Sequence, residues 1–244
     1  DTTDGGQVNG AQAVRQPGST LKPFLYAMCF DEGLLTPKTV VTDVMVNYNG
    51  YAPENYDKKF NGYVTVESAL EHSLNIPAVK TLSDLGLDKF LNKLIQCDFS
   101  SIDQKRNDLG LSVALGGCGV SLEQLTRLYS SFANGGQYAH IRWLQEDDDT
   151  SATQIISPNA AFMVNEILTQ LTRPDLPNFY QNAKNVPLIA WKTGTSYGRK
   201  DAWSIGYNNN YTIGVWVGNF SGKGVPELSG ANVATPLLFN LFNA

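Results

Sequence analysis

The sequence predicts an α+β fold in which many helices lie beside an antiparallel sheet. Helical patterns with recognisable caps fill the first two-thirds of the 244 residues, whereas β-branched and aromatic segments dominate the last third. Neither an internal repeat nor a linker-like change of composition divides the chain. We therefore predict a single domain over residues 1–244.

The composition supports a folded domain and disfavours two classes of protein. Apolar residues make up 42% of the chain, which is enough for a core and argues against disorder. The 18 basic and 23 acidic residues give a net charge of −5, whereas a nucleic-acid binder normally presents a basic face. The apolar run 213–217 has only the length of a strand, so we expect no membrane span.

The first predicted element is a helix over residues 20–33 that is apolar on nearly every side. Such a helix belongs at the buried centre of a domain. It follows a Pro17-Gly18 turn and ends at Gly33, which is a common helix terminator. Pro23 falls in its first turn, where proline is tolerated better than in a helix interior.

Five further helices carry start or stop signals of their own. Their predicted ranges are 66–72, 77–85, 87–95, 121–133 and 237–242, and another helix opens at Ser157-Pro158. Thr65 and Ser157 are plausible N-caps, and Ser121 with Gln124 has the form of a capping box. The glycine-rich loop 116–119 lacks the Gly-Lys-Ser/Thr of a phosphate cradle, so we interpret it as structural.

The predicted sheet lies in the final third of the chain. Its strands are expected over 188–195, 202–207 and 211–217, with Asn208-Asn209-Asn210 as the turn between the last two. This pattern indicates an antiparallel meander. A separate strand is predicted over 138–144.

Cysteine and histidine are too few and too scattered for a metal site. Cys29, Cys97 and Cys118 include no Cys-x-x-Cys pair, and their odd number leaves at least one free thiol. His72 and His140 have no partner at ligand spacing. We therefore predict neither a metal nor another cofactor.

Ser19 and Lys22 form the only Ser-x-x-Lys pair in the chain. A spacing of three on a helix brings two side chains to one face. A serine hydroxyl becomes an effective nucleophile when a base takes its proton, and a desolvated, neutral lysine can be that base. The pair alone also fits a helix cap followed by an exposed lysine.

Residues 192–195 read Lys-Thr-Gly-Thr on a predicted strand. A strand with small residues after a cation suits a peptide-like ligand that adds beside it through main-chain hydrogen bonds. The lysine and the threonine hydroxyls of Thr193 and Thr195 can receive a carboxylate. The alternative interpretation is an edge-strand lysine that guards against aggregation.

Ser73-Leu74-Asn75 supplies a third polar motif between the other two. Its hydroxyl can relay a proton to a leaving group, and its amide can hold a substrate amide. A competing Ser-x-Asn begins at Ser157, but that serine is better explained as the cap of the following helix.

Ser-x-x-Lys, Ser-x-Asn and Lys-Thr-Gly in this order are shared by penicillin-binding proteins and serine β-lactamases. The chain resembles the transpeptidase domain of class A, bifunctional penicillin-binding proteins, and within them the 1C subclass. The likeness runs over nearly the whole chain, including segments 15–24, 115–122, 134–136 and 191–203. It implies the penicillin-binding protein and serine β-lactamase-like fold, an antiparallel sheet flanked by helices with a mostly helical subdomain.

The resemblance also implies a D,D-transpeptidase that cross-links peptidoglycan stem peptides and is acylated by β-lactam antibiotics. Ser19 would attack the D-Ala-D-Ala carbonyl and Lys22 would accept its proton, while Ser73 and Lys192 help to protonate the departing amine. The implied substrate-binding residues are Asn75, Thr193, Gly194 and Thr195. The backbone N–H groups of Ser19 and Thr195 would form the oxyanion hole.

The chain also departs from the pattern of class A proteins. Those proteins carry a membrane anchor, a glycosyltransferase domain and two sheet strands upstream of the nucleophile, and only 18 residues precede Ser19 here. Residues 1–6 lack the features of a signal peptide. We therefore expect an N-terminally truncated domain that belongs at the periplasmic face of the bacterial inner membrane, where it would contribute to cell-wall biogenesis and cell shape.

Three other activities share these motifs. A serine β-lactamase also needs a base that activates water, and Glu71 overlaps the Ser-x-Asn motif too closely to serve both roles. A D,D-carboxypeptidase would use water in place of the amine acceptor. A penicillin sensor would bind β-lactam covalently without turning over a peptide.

Overall fold

The computed structural model describes residues 7–144, 146–147, 151–178, 180 and 186–244. The helices are α1 (Lys22–Asp31), α2 (Val66–Glu71), α3 (Asn75–Leu85), α4 (Leu87–Gln96), α5 (Ser100–Gln104), α6 (Leu122–Ala133), α7 (Pro158–Thr169) and α8 (Thr235–Phe242). The strands are β1 (Val40–Asp43), β2 (Gly62–Thr65), β3 (Gln137–Ala139), β4 (Ala152–Gln154), β5 (Ala190–Thr195), β6 (Asp201–Tyr207) and β7 (Thr212–Gly218). This arrangement confirms the predicted α+β class.

The main sheet has the strand order β5-β6-β7, and both pairings are antiparallel, as the meander pattern predicted. Every residue of β6 is buried, and α6 and α8 both pack against this strand. Trp203, Ile205 and Tyr207 face the larger core, whereas Ala202 joins a smaller cluster with Phe239 of α8. Within the described residues, no strand pairs with the outer edge of β5 or of β7.

The predicted central helix is confirmed in part. All residues 22–30 are buried, as expected for a helix that is apolar on nearly every side. However, the α-helix begins at Lys22, and a 3₁₀ turn over Gly18–Leu21 precedes it. The α-helix therefore begins two residues later than the predicted start at residue 20, and Ser19 lies in the turn that precedes it.

Several other regions differ from the sequence-based expectations, including α5 and β4, which were not predicted. The strand predicted over 138–144 is shorter in the structure, where β3 covers only Gln137–Ala139. The pairing with β4 ends at Ala139, so the following residues have no strand partner there. The pair β1 and β2 and the irregular segment 44–61 between them were not predicted. The N-caps at Thr65 and Ser157 and the capping box at Ser121 are confirmed.

The remaining global predictions concern membranes and cysteine. In the described part of the chain, no helix has both the length and the apolar character needed to cross a bilayer. Cys29, Cys97 and Cys118 are all buried free thiols, and burial raises the pKa of each to about 12. A thiol so protonated is a poor nucleophile at neutral pH.

Candidate active site

The segment that carries Ser19 is pressed against the end of β5. Gly18 has φ +57°, and a Cβ at this position would lie 2.6 Å from the backbone N and O of Thr195. A Cβ on Gly194 would lie 2.2 Å from the carbonyl oxygen of Pro17. Glycine at both positions therefore lets two backbones approach closely. The loop predicted as structural completes this packing, since Gly116 lies against Gly18 from the other side.

Two buried aromatic side chains fix the backbone on either side of the serine. Trp203 Nε1 donates to the carbonyl oxygen of Gln16 at 2.7 Å, and Tyr129 Oη donates to that of Thr20 at 2.7 Å. Neither aromatic side chain is exposed to solvent. Neither positioning role was predicted, because the contacts span 187 and 109 residues of chain and leave no local signal in the sequence.

Lys22 is fully buried, which excludes the alternative of an exposed lysine. Its Nζ donates to the carbonyl oxygen of Ser73 at 2.7 Å, to Oδ1 of Asn75 at 2.7 Å and to the carbonyl oxygen of Leu74 at 3.1 Å. Burial, followed by the nearby charge of Lys192, holds the pKa of Lys22 well below its ordinary value. The lysine is thus shifted toward the neutral form that can accept a proton.

Ser73 lies between the two lysine amines. Its Oγ accepts a hydrogen bond from Lys192 Nζ at 2.8 Å and lies 3.5 Å from Lys22 Nζ. Lys192 is 2% exposed, and burial lowers its pKa to about 8. A hydroxyl placed between two amines of lowered pKa can pass a proton from one to the other.

The backbone of Ser73 has φ +55°, a left-handed conformation that residues other than glycine rarely adopt. It follows α2, where the N–H groups of Ser73 and Leu74 donate to the carbonyl oxygens of Leu70 and Ala69. These two bonds form a Schellman motif, whose left-handed position is usually glycine. A serine in this strained position marks a functional site when its surroundings hold it there.

Asn75 begins α3, and its side chain is oriented by one donor and one acceptor. Its Oδ1 accepts from Lys22, while its Nδ2 donates at 2.8 Å to the carbonyl oxygen of Glu54. The structure therefore places Asn75 beside Lys22 and Ser73, as the motif predicted. The competing serine, Ser157, caps α7 by accepting from the N–H of Ala160.

The hydroxyls predicted to bind a carboxylate lie on β5. Thr195 Oγ1 accepts from the backbone N–H of Gly230 at 3.0 Å, which leaves its own O–H available to donate. Thr193 is partly exposed on the same strand. Ser19 is also partly exposed, and its hydroxyl makes no hydrogen bond with the described residues. The structure thus brings Lys22, Lys192, Ser73 and Asn75 into one hydrogen-bonded cluster. The hydroxyl of Ser19, the predicted nucleophile, lies outside this hydrogen-bonded cluster.

Comparison with known proteins gives the family of the chain. The penicillin binding protein transpeptidase domain matches residues 4–232. The chain belongs to the penicillin-binding protein transpeptidase family. This result confirms the resemblance recognised in the sequence.

Relatives and solved structures agree with this assignment. Penicillin-binding protein 1C of Escherichia coli is 38% identical over 98% of this chain, and penicillin-binding protein 1F of Bacillus subtilis is 32% identical over 86%. The chain spans 30% and 31% of the length of these two relatives.

Two solved structures show the same fold at low identity. The PonA1 protein from Mycobacterium tuberculosis in complex with penicillin V superposes with a TM-score of 0.82 at 19% identity, covering 96% of this chain and 70% of that chain. Penicillin-binding protein 1A from Haemophilus influenzae gives a TM-score of 0.75 at 23% identity, covering 93% and 42%.

Proposed function

We propose that this chain is a serine D,D-transpeptidase that cross-links peptidoglycan stem peptides and that β-lactams acylate at Ser19. One observation carries the proposal: Ser73 Oγ lies between the buried amines of Lys192 and of Lys22, and Lys22 begins the helix that directly follows the turn with Ser19. The family supports acyl transfer as the reaction class. The bacterial relatives support an envelope location, and the periplasmic face of the inner membrane is part of this proposal.

Acylation begins with attack of Ser19 Oγ on the carbonyl carbon of the penultimate D-alanine. Neutral Lys22 accepts the hydroxyl proton, and to do so it releases one of the hydrogen bonds that its charged form donates. The carbonyl oxygen becomes negative and is stabilised by the backbone N–H groups of Ser19 and Thr195. In other enzymes one such donor contributes roughly 3–4 kcal/mol to transition-state stability.

The intermediate then collapses and breaks the peptide C–N bond. The departing D-alanine nitrogen takes a proton from Ser73 Oγ, which is replenished from the lysine amines beside it. An amine of a second stem peptide attacks the acyl-enzyme, loses its proton through the same groups and releases Ser19 as a free hydroxyl. Thr193, Gly194 and Thr195 hold the donor peptide along the open edge of β5, and Asn75 binds an amide of its acyl part.

A β-lactam follows the same acylation step, but its leaving nitrogen stays tethered to the acyl group. Fast hydrolysis of this acyl-enzyme would then require a base that activates water. Glu71 makes no hydrogen bond to Ser19, Lys22 or Ser73 in the described part of the chain, and no ion pair there joins a carboxylate to either lysine. These contacts favour a trapped penicillin over the β-lactamase alternative.

Mass spectrometry of the penicillin-treated protein tests the nucleophile. We expect one adduct on the peptide that contains Ser19 and none in the Ser19→Ala variant. An adduct on another serine would contradict the proposal. Product analysis with a D-Ala-D-Ala donor and an amine acceptor then separates a cross-linked product from the hydrolysed donor of a carboxypeptidase and from the unchanged donor of a sensor.

A further inference from the structure

A buried polar network outside the three motifs supports the helix side of the site, which we define as residues 73–76. Asp43 ends β1 and is fully buried, and Asn55 lies in the irregular segment 44–61 and is 4% exposed. Neither residue belongs to a motif recognised in the sequence. Burying a carboxylate and an amide is costly unless both are fully hydrogen-bonded, so their partners matter.

Asn55 acts as a cap for α3 from a distant part of the chain. Its Oδ1 accepts from the backbone N–H of Asn75 at 2.8 Å and of Ile76 at 3.4 Å. These are the first N–H groups of α3, and the preceding Leu74 has no side-chain acceptor to offer them. Asn55 therefore provides the N-cap that the local sequence lacks.

Asp43 fixes which end of the Asn55 amide faces the helix. Its carboxylate oxygens accept from Asn55 Nδ2 at 2.8 and 2.9 Å, and the carbonyl oxygen of Lys59 accepts from the same nitrogen at 2.8 Å. All three partners are acceptors, so the amide nitrogen must point toward them and the amide oxygen toward α3. Asn61 donates to the same carboxylate through its backbone N–H and its side chain.

The capped segment supplies the oxygen atoms that surround Lys22. Its Nζ donates to the carbonyl oxygens of Ser73 and Leu74 and to the side chain of Asn75. Glu54, the neighbour of Asn55, also holds the Asn75 side chain through its carbonyl oxygen. A shift of the first turn of α3 would therefore move the surroundings of Lys22 and the hydroxyl of Ser73 together.

We propose that Asn55, oriented by Asp43, is a positioning residue that sets the placement of Ser73 and Asn75 around Lys22 and thereby the rate of acylation at Ser19. The proposal rests on the acyl transfer proposed above. Within the described residues, Asn55 makes no hydrogen bond to Ser19, Lys22, Ser73 or Lys192, so it acts through the helix side.

The test measures the rate of Ser19 acylation by a fluorescent penicillin as a function of pH, at a temperature where every variant is folded. In Asn55→Ala we expect a rate about 10- to 100-fold lower, since small misplacements of reacting groups have effects of this size. A loosened first turn admits water around Lys22, and weaker desolvation raises its pKa. The ascending limb of the pH profile is therefore expected to move to higher pH.

Ser157→Ala is the matched control, because it removes the N-cap of α7 away from the site. It is expected to lower the Tm by a few degrees, which is less than for Asn55→Ala because that variant also removes a donor from the buried Asp43 carboxylate, and to leave both the acylation rate and its pH dependence unchanged. Equal effects of the two variants on acylation would reduce Asn55 to a purely structural role and overturn the proposal.

Exchange of the two polar groups tests whether Asp43 acts through Asn55. In the double variant Asp43→Asn/Asn55→Asp, the amide donates to the carboxylate, which still accepts from α3. The carbonyl oxygen of Lys59 loses its donor both in this variant and in Asn55→Asp, so the comparison of the two is unaffected. We expect the double variant to acylate faster than Asn55→Asp alone, in which two buried carboxylates face each other. Additive losses would overturn the coupling.

The wild-type reaction separates this proposal from the proposed function. If wild-type Ser19 is not labelled, acyl transfer itself fails. If it is labelled and Asn55→Ala matches it in rate and pH limb, only the positioning role fails.

Discussion

The strand side of the site, residues 190–195, and the helix side, residues 73–76, are held in place by different interactions. The strand side is fixed by main-chain pairing with β6 along its whole length and by direct backbone contact with the Ser19 segment. The helix side depends on a few side chains, above all Asn55. Main-chain pairing can hold the strand side in place with many different side chains, whereas the position of the helix side depends on the identity of single residues.

The largest effect is expected from a substitution that forces the strand side away from the nucleophile. In Gly194→Ala the new Cβ would meet the carbonyl oxygen of Pro17 at 2.2 Å, so the Ser19 segment must shift. We expect the acylation rate to fall about 100-fold or more, because such displacements disturb the reacting geometry. Single-turnover labelling with penicillin measures this rate.

Gly110→Ala is the control for this change, since a Cβ at that position meets no atom within 4 Å. It is expected to acylate at the wild-type rate. A Gly194→Ala protein that also acylates at the wild-type rate would show that the close backbone approach is dispensable.

The buried lysine of the strand side makes stability depend on pH. Burial lowers the pKa of Lys192 from 10.5 to about 8, so between these values the unfolded chain binds more protons than the folded one. The free energy of unfolding therefore rises with pH across this window, by about 3 kcal/mol for this group. Below pH 8 both states are protonated and the contribution of Lys192 is constant.

Comparison of the wild type with Lys192→Met reports this contribution, because methionine does not titrate, together with the release of Lys22 from the nearby charge of Lys192. Denaturant unfolding from pH 7 to 10.5 should show wild-type stability rising relative to the variant. Parallel pH curves for the two proteins would mean that Lys192 is not desolvated in the folded state.

The sequence predicted the parts of the site that depend on local signals. The helix predicted over 66–72 is confirmed because Thr65 caps its N-terminus, and this helix ends just before Ser73. Lys192 was placed correctly because β5 has a clear strand composition. The 3₁₀ turn at Ser19 was missed, since it depends on contact of Gly18 with a strand about 180 residues away.

The helix side could not be predicted because its support is non-local. Asn55 lies in a segment without helical or strand periodicity, and its partners are 12 and 20 residues away. An amide, a carboxylate and a helix N-terminus that meet only in the folded chain have no fixed spacing in the sequence by which they could be recognised.

A smaller effect is expected from Tyr129→Phe, which removes the hydrogen bond to the carbonyl oxygen of Thr20, the residue that follows Ser19. The carbonyl oxygen of Thr20 would lose its buried donor, at a cost of about 1–3 kcal/mol in stability. We expect about tenfold slower acylation, because the backbone next to Ser19 becomes less constrained. Thermal unfolding and single-turnover labelling report the two effects separately.

Tyr138→Phe is the matched control, since Tyr138 is also buried and donates to the carbonyl oxygen of Cys97 at 2.6 Å. A similar loss of stability with unchanged acylation is expected. If both variants acylate equally slowly, the effect of Tyr129 is global destabilisation rather than local positioning.

The smallest effect is expected at the outer end of the polar network, where Asn61→Ala removes one donor to Asp43. The backbone N–H of Asn61 remains at 2.9 Å from the carboxylate, and the Asn55 amide keeps its own bonds to it. Stability should fall by about 1 kcal/mol, the typical worth of one hydrogen bond, and acylation by no more than about twofold. The effect on acylation should therefore decrease outward from Asn55 to Asn61. A larger loss of acylation in Asn61→Ala than in Asn55→Ala would show that the helix side is held by the carboxylate itself rather than by the cap on α3.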